Sequence, residues 1–456
     1  MRTGNNAFFQ ASEPAVAYRG IHLDLKGVPP TFERLLSLLD VFAAMRFNCV
    51  LVEWEDMFPW TCDRRFRCAT AYTPQQIQAF RNKAQELGIE VIPLVQSIGH
   101  METPLKFPEY AHMREVPDDT SGLNPLAQGA RELVQSMVDD VLALLPGIKH
   151  FHLGGDEAWA FGTHPDTQVY VAKHGKGALY MHHMEPLLDH LLEKGIRPIL
   201  WHDMMAEWDS PSLLRLKDKA DLCVWGYQRT PETVSPHAHF HISKIRRFVE
   251  HGITLWGGTA YKGGDGPDVE LPIVENRLEN CLGWSKAARE MGMKGVFVTA
   301  WSRYNTLNTQ LSPIDAALDV MALSAAVLHD GTAPAAGINA CRELLEQIGE
   351  YERFQKCYDV MAQLSRLKTA AWEQVRHARQ ALACLQLDPT RRDRTVAGKH
   401  LQMLQKRIRE IHALTPEILT AFQGLIAEHW MTLYVGDRRA TLELEAEEIK
   451  RLIARE

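Results

Sequence analysis

Asp156 and Glu157 stand side by side directly after Gly154 and Gly155, which close the apolar run 148–153. That run reads as a short buried strand, and the paired glycines let the backbone turn sharply where it ends. Both carboxylates are thereby delivered to the carboxyl end of a strand, the face on which α/β barrels carry out their chemistry. Close like charges push one pKa upward, so an acid held protonated beside one held ionised would make an acid/base pair. The alternative is an Asp-Glu dipeptide that caps the next helix. The glycines, His152 and the aromatics that follow argue against it.

The elements that must position this pair recur along the chain. Strand-like runs fall at 20–25, 48–53, 89–95, 148–153, 196–201, 221–225, 253–256 and 295–300. Stretches with apolar residues at helical spacing lie between them, at 31–46, 73–87, 128–145, 176–194, 210–219, 241–251, 273–291 and 313–329. Thr73 and Pro74 suit a helix start, and Gly88 and Gly195 suit helix ends. Eight strands alternating with helices imply an α/β protein, a (β/α)8 TIM barrel. After about residue 333 the strand runs stop. Residues 338–387 and 395–429 read as long amphipathic helical stretches, and Gly436-Asp437 reads as a further break. The expected organisation is a catalytic barrel over 1–332 and an α-helical C-terminal extension over 333–456, the latter a packing or dimerisation layer.

If the barrel is right, functional side chains should gather at the eight carboxyl ends. The first strand is preceded by Arg19 and runs through His22 and Asp24. The second ends in Glu53-Trp54-Glu55-Asp56, with Trp60 beyond, and the third leads to Gly99-His100-Met101-Glu102. The fourth gives Asp156-Glu157-Ala158-Trp159, the fifth Trp201-His202-Asp203, the sixth Trp225-Gly226-Tyr227. The seventh leads from Trp256 to Tyr261, and the eighth ends in Trp301-Ser302-Arg303-Tyr304. Most of the 11 tryptophans fall at such ends, which packing for stability alone would not favour. Aromatic walls bury the apolar faces of sugar rings, while carboxylates and Arg bond their hydroxyls. The joint pattern points to carbohydrate.

Composition narrows the field. With 456 residues, 46% apolar and 23% charged, the chain has the make-up of an ordinary globular protein. A net charge of -7 gives no electrostatic case for nucleic acid or an anionic membrane as partner. No transmembrane run or signal peptide is evident, and the eight scattered cysteines lack a Cys-x-x-Cys pair. The expectation is a cytoplasmic protein with reduced thiols.

The segment Phe151-His152-Leu153-Gly154-Gly155-Asp156-Glu157 resembles the His-x-Gly-Gly-Asp-Glu signature of the family 20 β-N-acetylhexosaminidases. Three further segments, from Val52 to Pro59, Ile92 to Glu102 and Tyr261 to Gly263, sharpen the resemblance to the hexosaminidase D-type branch; it covers roughly residues 17–330. It implies a retaining, exo-acting hydrolysis of terminal β-linked N-acetylhexosamine (GalNAc or GlcNAc), without cofactor or metal. In that chemistry the substrate's own 2-acetamido oxygen attacks the anomeric carbon. Glu157 is then the general acid and base, and must be protonated near neutral pH, which burial beside Asp156 favours. Asp156 would orient the acetamido N–H and stabilise the oxazolinium.

The resemblance also implies that Arg19 binds sugar hydroxyls and that His100 supports the acid/base through Asp56 or Glu55. Trp201, Trp225 and Trp301 would wall the pocket, with Asp203 among the substrate-binding residues and His152 supporting. Tyr261 is the first choice for binding the acetamido oxygen and Tyr227 the second. One departure stands out: Trp301-Ser302-Arg303 replaces a common Trp-x-Glu, which makes galacto-configured substrates at least as plausible as gluco ones. The competing readings are a metal-dependent hydrolase using His22, Asp24, His152, Asp156, His202 and Asp203, and a non-catalytic sugar-binding barrel. The expected partners are β-N-acetylhexosaminide glycans, with a homodimer possible through the amphipathic helices.

Overall fold

The computed structural model describes residues 8–266, 269–303, 309–388 and 394–454; Tyr304 lies outside them. Its strands are β1 (Tyr18–Asp24), β2 (Cys49–Glu53), β3 (Glu90–Leu94), β4 (Arg114–Val116), β5 (Asp119–Leu123), β6 (His150–His152), β7 (Arg197–Trp201), β8 (Asp221–Trp225), β9 (Leu255–Lys262) and β10 (Gly295–Ala300). All except β4 and β5 pair in parallel as a closed eight-stranded barrel, and β10 returns to β1. Runs such as Cys49-Val50-Leu51-Val52 are buried on both faces, as parallel strands wrapped by helices must be. Alternation divides them: Leu51, Ile199, Cys223 and Phe297 fill the bore, while Val50, Leu200 and Val296 meet the helices. Trp256 stacks on Phe297 at 4.9 Å and pairs in register with Gly295, which plugs the amino-terminal half of the bore. The cavity lined by Trp201, Trp225 and Trp301 therefore lies toward the carboxyl-terminal rim.

Helix Pro74–Glu86 begins as its residues require, with a capping box between Thr73 and Gln76 and proline in the first turn. The fifth crossover helix is short, Ser210–Leu216. Two elements depart from the expected pattern: the antiparallel β4–β5 hairpin inserted after β3, and helix Pro165–His174 after β6.

Beyond the barrel lie Ile338–Gln347, Tyr351–Leu387, Arg394–Ala421 and Glu428–Ala454, all helical. The expected stretch 338–387 is interrupted at Gly349, whose φ of 76° suits a helix end. No break occurs at Gly436-Asp437, which lie inside the last helix. One interior glycine costs only about 1 kcal/mol, and burial of Tyr434, Val435 and Arg438 outweighs it. The three long helices share a core that includes Leu364, Leu404, Ile411 and Leu442.

They dock on loops that follow strands, hence on the same rim as the acidic pair. Thr31 N–H donates to the Leu425 carbonyl at 2.7 Å, and the Trp430 indole donates to Thr70 at 3.1 Å. Glu270, in the loop after β9, is held by Arg438 at 2.8 Å, Lys368 at 2.6 Å and the Tyr434 hydroxyl. All eight cysteines are free thiols, Cys62 and Cys68 included. Among the described residues no helix is long and apolar enough to cross a membrane.

Candidate active site

The chain leaves β6 through Gly154 and Gly155, at φ of 58° and 84°. A Cβ on Gly155 would collide with the Tyr180 hydroxyl, which donates to the Gly155 carbonyl at 3.1 Å. Glu157 then takes φ of 47° and His100, facing it, φ of 55°. A left-handed non-glycine residue costs on the order of 1 kcal/mol or more and persists only where its surroundings enforce it. Enforcement is visible here: Gly99 packs so tightly on the Asp156 carbonyl that any side chain would overlap it. Asp203 accepts the Glu157 N–H at 2.9 Å and the Trp225 indole N–H at 3.2 Å. His152 accepts the Gly154 N–H on Nδ1 at 3.0 Å, and its ring lies 4.2 Å from Trp201.

The two carboxylates face different surroundings. The Asp156 side chain is 7% exposed and that of Glu157 is 32% exposed. Burial therefore falls chiefly on Asp156, not on Glu157 as the sequence suggested. His100 Nε2 lies 3.5 Å from Asp156 and 3.4 Å from Glu157. Burial opposes charge on His100, but Asp156 and then Glu157 outweigh it and hold its pKa well above the ordinary value. Burial raises the Asp156 pKa, and His100 draws it back. Burial, then the charge of Asp156, pushes Asp203 up to about 7. His152 is driven down to about 3 by burial and is neutral.

Asp156, Glu157, His100, Trp201, Trp225, Tyr227 and Trp301 line one cavity of about 120 Å³. Within it Asp156 Oδ1 is a buried acceptor, and Trp201 Nε1 and Trp301 Nε1 are buried donors, with no hydrogen-bond partner among the described residues. Buried polar atoms are ordinarily paired, so such a group marks a place for a ligand. Tyr227 stacks on Trp225 with ring centres 5.2 Å apart, and Thr299 and Trp301 stand beside its hydroxyl.

Several sequence expectations are corrected. Arg19 sits at the amino end of β1, five residues before Asp24, which at about 3.3 Å per residue is roughly 17 Å from the rim. Its guanidinium donates to the carbonyls of Arg46, Val16 and Ala17. Tyr261 coincides with a register shift: Thr299 pairs with Ala260 and Ala300 with Lys262, so Tyr261 is skipped. It is buried in the layer between barrel and helices, and Tyr227 occupies the pocket instead. The carboxylates within reach of His100 Nε2 are Asp156 and Glu157 themselves, not Asp56 or Glu55. Asp56 sits near Lys106 and Arg303 with its pKa raised by burial to about 6, while Glu55 accepts from Thr103 at 2.7 Å. Trp54 and Trp60 belong to the core. Among the described residues no three His, Cys, Asp or Glu side chains converge as a metal site.

Two residues escaped notice. Lys26 is buried between Asp24 at 3.0 Å and Glu53 at 2.8 Å, 5.3 Å from the Trp301 ring centre. Its signal is present in the Asp-x-Lys that ends the first strand. His239 packs on Trp225 at 4.5 Å, and burial lowers its pKa to about 4. It arrives from the irregular segment after Pro231 and Pro236, where no periodicity announces it.

Comparison with known proteins agrees with this geometry. Residues 16–239 match the catalytic-domain model of glycosyl hydrolase family 20. Hexosaminidase D of Bos taurus is 33% identical over 298 residues, covering 63% of this chain and 85% of the bovine protein. Hexosaminidase D of Homo sapiens is 32% identical over 298 residues, covering 63% of this chain and 60% of the human protein. The fold is similar to a β-N-acetylhexosaminidase from Bacteroides fragilis NCTC 9343, with a TM-score of 0.55, 16% identity, and 74% and 72% of the two chains covered. Flavobacterium johnsoniae chitobiase gives a TM-score of 0.55 at 14% identity, over 96% of this chain and 72% of its own. At one-third identity over most of the bovine protein, this chain belongs to glycosyl hydrolase family 20 and is a glycosidase of the β-N-acetylhexosaminidase type.

Proposed function

We propose that the protein is an exo-acting, retaining glycosidase that removes terminal non-reducing β-linked N-acetylhexosamine, GalNAc or GlcNAc, with the substrate's acetamido group as nucleophile. The observation that carries this reading is Asp156 Oδ1, a buried acceptor without a partner among the described residues in an aromatic-walled cavity, beside the more exposed Glu157. An acetamido N–H supplies the missing donor. Its carbonyl oxygen is held by the Tyr227 hydroxyl, while Trp201, Trp225 and Trp301 bury the methyl group and the ring face.

In the first step the acetamido oxygen bonds to the anomeric carbon as the bond to the leaving oxygen breaks, and Glu157 gives that oxygen its proton. Asp156 stabilises the positive oxazolinium, its charge held in place by His100. In the second step water attacks the same carbon, Glu157 takes a proton back, and the acetamido group is regenerated with retained configuration. Asp203 and His152 act on the backbone that presents the pair.

The test compares p-nitrophenyl β-GlcNAc, β-GalNAc and β-glucoside, with Asp156→Asn and Glu157→Gln alongside. Turnover is expected for one or both N-acetyl sugars and not for the glucoside. A glucoside hydrolysed as fast as the N-acetyl sugars would overturn the substrate-assisted mechanism.

A further inference from the structure

We propose that Trp159 is the platform for the sugar on the leaving-group side of the scissile bond; this rests on the function proposed above and deepens it. Trp159 is 84% exposed, and the other tryptophans among the described residues are buried or half-buried. It lies two residues past Glu157, a span of at most about 7 Å even for an extended chain. The span is tightened by a hydrogen bond from the Trp159 N–H to the Glu157 carbonyl at 2.8 Å.

The exposure is not that of a loose loop. Glu115, buried in the hairpin after β3, accepts the N–H groups of Gly162 at 2.8 Å, Thr163 at 2.8 Å and His164 at 3.0 Å. The Thr167 hydroxyl donates to the same oxygen. Phe161 is buried against Tyr180, and Ala158 is buried as well. One loop is thus fixed by a carboxylate and two apolar anchors, and a single indole projects from it into solvent.

Position identifies the occupant. The cavity of about 120 Å³ is well below the roughly 300 Å³ at which ligand sites usually begin, so it takes the terminal sugar and little more. Whatever lies beyond the glycosidic oxygen must rest on the rim. A general acid faces the leaving group, and Glu157 is the more exposed member of the pair. Trp159, two residues on, is an exposed aromatic beside it, and the apolar C–H face of a pyranose is what an indole plane buries. The occupant is therefore a second sugar ring, not an alkyl group.

The test uses Trp159→Ala and Trp159→Phe with two substrates of the same terminal sugar: its β-1,4 disaccharide with N-acetylglucosamine, and its methyl β-glycoside. The configuration, gluco or galacto, is the one that the wild type cleaves. Trp159→Ala should lower kcat/KM for the disaccharide about threefold to tenfold, leave the methyl glycoside within about twofold, and be largely rescued by Phe, as expected for one lost stacking contact. Equal losses on both substrates, or none on either, would overturn the platform. An unchanged substrate ratio with a dimer that dissociates in light scattering would put a second copy of the chain on Trp159 instead. Wild type that cleaves neither N-acetyl sugar contradicts the proposed function itself, whereas active wild type matched by Trp159→Ala contradicts the platform alone.

Discussion

Asp24, Lys26 and Glu53 at the ends of β1 and β2, and Asp156, Glu157 and His100 in the loops after β6 and β3, are both two carboxylates and a base. They differ in how completely charge is matched. In the first, Lys26 reaches Asp24 at 3.0 Å and Glu53 at 2.8 Å, Gln96 donates to Glu53 at 3.0 Å, and Ser302 N–H donates to Asp24 at 2.7 Å. Burial alone would raise the Glu53 pKa, but Lys26 and then His22 pull it far below the usual carboxylate range. In the second, the base is an imidazole that spans two carboxylates at 3.4 and 3.5 Å, and Asp156 Oδ1 is left without a partner among the described residues. The first cluster is bridged by a lysine ammonium, while the unsaturated second one leaves an Asp156 acceptor facing the cavity.

Glu157→Gln tests the unsaturated cluster most severely, and kcat should fall by about 10³–10⁴, the upper range for a general acid and base. Lys26→Met tests the closed one. It strands Asp24 and Glu53 in a buried site, and urea titration should show a loss of about 3–5 kcal/mol. Because the folded Glu53 pKa is depressed, its stabilisation is present above the ordinary glutamate pKa and is lost as pH falls below it. The wild type should lose stability in that acid window, and the Lys26→Met variant should lose much less there.

Asp156→Asn should lower kcat by about 10²–10³, the scale of one charge-stabilising contact, with little change in thermal midpoint. His100→Asn removes the positive partner, so the Asp156 pKa rises further and the acid limb of kcat/KM should move to higher pH. An unshifted limb would show that the imidazole is only packing. The smallest effect is expected at Tyr261, which belongs to neither cluster. Its hydroxyl has no partner among the described residues, so Tyr261→Phe should leave kinetics unchanged and stability within about 1 kcal/mol.

The barrel is legible in the sequence because each strand is a short apolar run between turn-forming residues, and the runs 221–225 and 295–300 coincide with β8 and β10. The β4–β5 hairpin is not, since Arg114–Val116 and Asp119–Leu123 are short and carry polar residues without an apolar rhythm. The acidic pair is legible for the reason that it is local: glycines, strand and carboxylates are consecutive. Residues that depend on which way a strand faces are harder. Arg19 is misplaced because a motif near a strand does not say which end it occupies. Tyr261 is misplaced because, counted from Trp256 in the bore, it falls on the helix-facing side of β9 with Leu255. His239 comes from a loop that folds back, and nothing local predicts that it meets Trp225.

The docking of the C-terminal helices on the rim has a consequence for how the molecule is made. Thr31 is hydrogen-bonded to Gly424 across 393 positions of sequence, and Glu270 is closed over by Arg438 across 168. Such contacts form late, because loop closure over long separations must precede any gain from them. A ribosome adding about 5–20 residues per second works for roughly ten seconds or more between the end of β10 and the end of the last helix. Throughout that interval the nascent barrel carries its acidic pair, yet the loops after β1, β2 and β9 lack their final support. Those loops therefore reach their final packing only near the end of translation, when the last helix docks on Thr70 and Glu270.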